Sequence, residues 1–266
     1  MRFYDLDIDV KNYAKRIVDA GYKCPADINS VSDFVKGLKS YNLWGNVILW
    51  PLGSNQNAQS GTTVYSLSNA GNYDGTLTNG PTIEANGVHF RRTLTQYILT
   101  NLMLSGTDPC SFFIVNSTYD DGGGTSGVII LAGTRPSDIT TTVFSAVADN
   151  GSNAITSSFI LDPVPAVARP ANPYSSIHCF EPRSPVARVG ANGGSLTSAT
   201  PSPNPLGGQL QSPLYIGHAG PSLGNRGFNG FMNFFSVFLS KSVSSAEYAL
   251  LHNIYKKTAG KGLGLP

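Results

Sequence analysis

From residue 52 to about residue 240 the chain alternates short apolar runs with Gly, Asn, Ser and Pro, and this punctuation restricts its fold more than any other feature. The runs are Val88–Phe90, Tyr97–Leu104, Ser111–Asn116, Val128–Ala132, Thr142–Ala148, Ser157–Leu161, Ser175–Phe180, Val186–Val189, Leu214–Gly217 and Phe228–Leu239. Most hold four to eight residues rich in Val, Ile, Phe, Thr and Tyr, which suit the pleated, half-buried surface of a strand. Asn-Gly pairs at 79–80, 86–87, 150–151, 192–193 and 229–230 supply turns between them. Many short strands at such spacing predict a sandwich or a closed barrel. Phe228–Leu239 is apolar on both faces, with Phe231, Phe235 and Val237 on one and Met232, Phe234 and Phe238 on the other. A strand of that kind is covered on both sides. The cover is either the N-terminal helices or a neighbouring subunit.

Charge divides the chain. Residues 1–50 carry 13 charged groups, whereas 93–240 carry 12 over nearly three times the length. The division gives a helical N-terminal attachment segment over 1–50 and a β-sandwich with a C-terminal helix over 51–266. In the first segment Asp9 caps a helix with Val10, Tyr13, Ala14, Ile17 and Val18 on one face, ended by Gly21. Ser30 and Asp33 open a second helix with Val31, Phe34, Val35 and Leu38 on its apolar face. Leu43–Trp50, with both tryptophans, reads as the joint to the main body. Near the other end Ser244 and Glu247 form a capping box for a helix to about Thr258, burying Leu250, Leu251, Ile254 and Tyr255.

Composition removes several classes. A formal charge of +2 cannot neutralise many phosphates, so nucleic acid is not expected as a partner. A hydrophobic share of 41% builds a core, and disorder is not expected. No apolar run approaches the roughly 18 residues of a membrane span. The opening MRFYDLDIDV has acids where a signal peptide has its apolar core, which predicts synthesis in a cytoplasm. Cys24, Cys110 and Cys179 lie far apart without a C-x-x-C, so at most one pair bridges and no zinc site is written.

The segment LSNAGNYDGTLTNGPTIEANGVHF resembles the entry of concanavalin A-like, laminin-G-like jelly rolls. The segment LYIGHAGPSLGNRGFNGFMNFFSVFLSKSVSSAEYALL resembles the closing strands of the same fold, through Ile216-Gly217, Phe228, Gly230, Leu239-Ser240, Glu247 and Leu251. The two blocks bracket roughly residues 60–255. A second resemblance lies in Tyr13, Ile17, Ala20-Gly21-Tyr22, Pro25, Phe34-Val35, Leu38-Lys39 and Leu43-Trp44, and in the closing GKGLGLP, which are similar to bacteriophage particle proteins carrying such a jelly roll. Together the resemblances imply a mainly β, concanavalin A-like jelly-roll sandwich. They imply a non-enzymatic structural component of a phage virion, decorating the head or belonging to the tail and its fibres, and assembled in the host cytoplasm. Its partners would be other virion subunits and further copies of itself, with glycan as an additional ligand. The alternatives are a host-polysaccharide-binding adhesin on the tail and a glycan hydrolase.

Motifs for chemistry are sparse. Asp5, Asp7 and Asp9 share one face of an extended chain, yet Val10 and Arg16 occupy the Gly and Glu positions that a calcium loop needs, and a solvated leader with a helix cap is expected. Gly122, Gly124 and Gly127 match a dinucleotide fingerprint but precede a strand instead of a helix. His89, His178, His218 and His252 lie in separate elements, as structural histidines do. The glutamates are Glu84, Glu181 and Glu247, and none has a second carboxylate two or four places away, so no glycosidase pair is written in the sequence. No catalytic residue, metal or cofactor is expected. The loop residues proposed for glycan contact are Asp120 and Asp121, before the glycine run, and Asn225 and Arg226, before the Phe228 hairpin.

Overall fold

In a computed structural model the described residues are 5–53, 56–68, 71–119, 129–134, 144–149, 154–159, 165–183, 186–200, 211–220 and 227–266. Two helices come first, α1 (Ile8–Asp19) and α2 (Ile28–Ser40). Next come β1 (Val47–Pro51), β2 (Thr63–Val64), β3 (Leu67–Ser68), β4 (Gly75–Thr78), β5 (Thr82–Glu84) and β6 (Gly87–Phe90). They are followed by β7 (Tyr97–Ser105), β8 (Cys110–Tyr119), β9 (Ile129–Thr134), β10 (Phe144–Asp149), β11 (Ala154–Phe159) and β12 (Ala166–Ala168). The last elements are β13 (Tyr174–Glu181), β14 (Val186–Ala191), β15 (Thr197–Ala199), β16 (Gln211–Ile216), β17 (Gly230–Leu239) and α3 (Ser245–Lys257).

The strands form two antiparallel sheets, as the punctuation predicts. A nine-stranded sheet runs β15-β14-β13-β8-β17-β1-β3, with β6 on β17 and β5 on β6. An eight-stranded sheet runs β12-β11-β10-β9-β16-β7-β4-β2. Trp50, Phe112, Ile114, Phe235 and Val237 from the first sheet meet Ile98, Leu102, Leu131, Leu214 and Ile216 from the second. The opposite face of the nine-stranded sheet carries Leu49, Phe113, Val115, Ile177, Phe234 and Phe238, and these pack under Val10, Ile17, Phe34, Leu38, Tyr248 and Tyr255 of the three helices. Phe34 meets Phe234 and Tyr255 edge-on at 5.2 and 5.6 Å. Each such side chain taken from water contributes about 1.5–3 kcal/mol, so neither short helix stands alone and both are held by the sheet.

This arrangement shows what covers β17: helices of the same chain. It also corrects the assignment of faces along that strand. Met232 lies between the sheets with Phe235 and Val237, because register shifts on both sides of it, between Phe231 and Met232 and between Met232 and Phe234, break simple alternation. β1, within the stretch read as a joint, is an internal strand between β17 and β3 and is buried along its whole length.

The helix ends differ from expectation at the N-terminus and agree at the C-terminus. Asp7, not Asp9, caps α1, accepting the Asp9 N–H at 3.0 Å. α2 starts at Ile28, ahead of Ser30, because Ile28 is fully buried and extends the apolar face by a turn. Its N-cap Asp27 makes no side-chain cap bond, so burial decides the boundary over the capping pattern. α3 has the complete capping box between Ser244 and Glu247. Asn79-Gly80 and Asn192-Gly193 adopt the left-handed conformations that tight turns require. Asn229-Gly230 is not a turn, since Gly230 already pairs with Phe90 and Tyr119. The cysteines are free: Cys110 faces the sheet-to-sheet core and Cys179 faces the helices.

Candidate functional site

Asp120, Asp121, Asn225 and Arg226, together with the Gly122–Gly127 run, lie outside the described residues. The aspartate triplet has a different role from a solvated leader. Lys39 reaches from α2 to both Asp7 and Asp9 at 2.8 Å, and the Trp44 Nε1–H donates to Asp9 at 2.8 Å. The two carboxylates therefore clamp α1 to α2. The histidines are bound structurally. His178 sits between the hydroxyls of Ser157 and Ser176 at 3.0 and 3.1 Å, and burial pushes it down to about 3. His252 meets the Ser175 hydroxyl at 2.8 Å and the Pro266 carbonyl oxygen at 3.1 Å, and burial lowers it as well.

Helices occupy one side of the sandwich, so the sheet face open to solvent belongs to the eight-stranded sheet. Even-numbered residues of β7 point into the core, leaving Leu99, Asn101 and Met103 exposed on the outer face and Tyr97 on that face but buried. Strand pairing places Thr76 of β4 beside Leu99 and Tyr215 of β16 on its other side, with Pro213 next to Met103. Leu99 is 37% and Met103 49% exposed, and Asn101, Thr76 and Gln211 are exposed too. Tyr97 and Tyr215 meet edge-to-face at 5.3 Å, and the His218 ring lies 6.2 Å from Tyr97. Burial, and then the neighbouring Tyr97, raise the Tyr215 phenol above its ordinary range, so at neutral pH it keeps its proton. Gly133 and Ser145, which follow Tyr215 across β9 and β10, are buried. The accessible area is thus a floor of β4, β7 and β16 with one half-buried tyrosine braced by a buried one, amides and hydroxyls.

Two concave sites accompany this face. One, of about 390 Å³, lies between α1 and the β3–β4 connection and is lined by Asn12, Lys15, Asp19, Ser68 and Asn72. Arg16 at its wall is committed: it binds both Asp74 oxygens at 3.0 and 2.9 Å, and Asp74 also accepts from the Ser66 N–H and hydroxyl. The other, also about 390 Å³, lies at the β7–β8 and β13–β14 turns and contains Asp108, Glu181 and Arg183. Glu181 pairs with Arg188, and Arg183 approaches Asp108 at 3.5 Å. These two carboxylates are 73 positions apart in the chain, which is why spacing along the sequence misses them.

No family model matches the chain, and no curated protein matches it in sequence. Solved structures do match in fold. One is Trypanosoma rangeli sialidase in complex with 2,3-difluorosialic acid, with a TM-score of 0.56 at 10% identity over 90% of this chain. The same sialidase in complex with sialic acid gives 0.55 at 11% identity over 89%. The chain spans about 40% of the length of these sialidases. A Ruminococcus gnavus sialidase CBM40 bound to α2,6 sialyllactose gives 0.40 at 11% identity over 55% of this chain and 84% of that one. The sialidase matches overturn the expectation of a non-enzymatic structural part of a phage particle, because the structures just named that share this fold are sialidases. They also correct the expectation that the chain is not an enzyme, since the proteins that carry this fold over about 40% of their length are sialidases. The mainly β class, with two antiparallel sheets, a short N-terminal helical segment and a C-terminal helix, stands as expected.

Proposed function

We propose that the chain is a glycan-binding module that takes its ligand on the open face of the eight-stranded sheet. The observation that carries this reading is the half-buried Tyr215 ring, held edge-on by the buried Tyr97 and set beside exposed Leu99 and Thr76, with Asn101, Met103 and Gln211 exposed farther along the same strands. A ring held by packing offers a π-surface to the C–H face of a pyranose at little entropic cost, and amides and hydroxyls fix its hydroxyl groups. The sialidase likeness in fold supports the reading as a likeness of scaffold. With the phage resemblance of residues 13–44, the module would serve as a host-polysaccharide adhesin.

Binding of the full chain to a glycan array, followed by calorimetry on the best ligand, tests it. Tyr215→Ala is expected to weaken binding at least tenfold, the loss of about 1.4 kcal/mol or more. Retention of full affinity by Tyr215→Ala and by Asn101→Ala would move the ligand off this face. The same mixtures analysed for released reducing sugar report cleavage. Turnover that depends on Asp108 or Glu181 would assign the chemistry to their pocket.

A further inference from the structure

We infer that the ligand of the open sheet face is an uncharged glycan and not a sialylated or other acidic one. This rests on the binding reading above and adds the chemical class. β4, β7 and β16, which make the accessible floor, contain no Asp, Glu, Lys or Arg. The two acidic residues that flank these strands among the described residues are already engaged. Asp74, just before β4, is held by Arg16, and Asp108, beyond β7, lies against Arg183. A sugar carboxylate brought onto this floor would lose water without gaining a cation from β4, β7 or β16, and an unpaired charge in a partly desolvated site is unfavourable. A neutral pyranose meets the opposite situation. Its hydroxyls find the Asn101 and Gln211 amides, the Thr76 hydroxyl and the Tyr215 phenol, and its C–H face finds Leu99, Met103 and the Tyr215 ring. The fold is shared with sialidases, but the described residues of the face lack the arginine that recognition of a carboxylate favours.

The basic residues nearest in sequence are Arg91 and Arg92, at the short 3-10 turn ahead of β7. Arg91 is exposed, so its truncation spares the fold and reports whether positive charge contributes.

The experiment is an array carrying neutral glycans beside their sialylated and uronate-containing counterparts, probed with the full chain at 0.05 and 0.5 M NaCl. Bound glycans are expected to be neutral, with affinities that change less than about twofold between the two salts, since no ion pair is there to be screened. Tyr215→Ala should weaken these at least tenfold and Asn101→Ala fivefold or more, and Arg91→Ala should leave them unchanged. Preference for sialylated or uronate ligands, with a tenfold loss at the higher salt or on Arg91→Ala, would overturn the charge class while keeping glycan binding. Failure of the wild-type chain to hold any glycan would overturn glycan binding itself. Self-association of that chain lost on Met103→Lys would assign the face to a second copy and overturn the inference.

Discussion

Single side chains decide how this sandwich responds to acid and to small changes in volume. His178 is buried between two serine hydroxyls and remains neutral down to about pH 3, whereas an unfolded histidine titrates near 6.5. The unfolded state therefore binds the extra proton first. Stability is complete above about pH 6.5 and falls steadily as the pH drops toward 3, by on the order of 4–5 kcal/mol for this residue across the whole window. Urea unfolding measured from pH 8 to pH 4 should show this slope, and His178→Gln should flatten it. Gly217 makes a second test. It sits at φ +85°, and a Cβ there would lie 2.5 Å from the Phe90 ring. Gly217→Ala combines left-handed strain with overpacking and is expected to cost about 2–4 kcal/mol in the same assay. The Ile216-Gly217 pair is visible in the sequence as part of a resemblance. Its reason, a neighbour from β6 more than 120 positions away, is not.

At the level of elements, legibility follows how local the determinant is. α3 is read correctly because Ser244 and Glu247 satisfy each other within one turn and need nothing from the rest of the chain. Ser244→Ala removes that cap and should lower stability by about 1 kcal/mol, or roughly 2–4 °C in melting temperature followed by circular dichroism. The start of α2 is misread because its determinant is the burial of Ile28, which only the folded chain provides. In β17 the alternation is right from Phe235 onward. It fails at Met232, where a bulge moves the side chain to the other core, and composition carries no mark of an inserted residue. β1 is obscured differently: its five residues are buried on both faces, so they show no alternation to recognise.

For the whole molecule, the two-sheet architecture was legible from turn spacing, while the candidate site was not. Leu99, Tyr215 and Thr76 come from three distant stretches and become neighbours only through antiparallel pairing. The loop residues proposed from sequence depended on polarity alone, and polarity marks a turn as readily as a ligand contact. The helices belong to the same scale. They close one face of the nine-stranded sheet, and without them Phe113, Val115, Phe234 and Phe238 would form a broad apolar surface. Deletion of residues 1–45 is expected to turn a well-behaved protein into an aggregating one on gel filtration, with the truncated chain in the void volume.

Closure of one face by helices also makes the molecule directional. Copies fixed to a support through their helical side would all present β4, β7 and β16 outward, like tiles laid pattern up. On a polymeric glycan with repeating units, each further engagement occurs at an effective concentration set by the support and not by the bulk solution. An array of weak sites then gains about 10²–10⁴ in avidity with no new contact within any single copy.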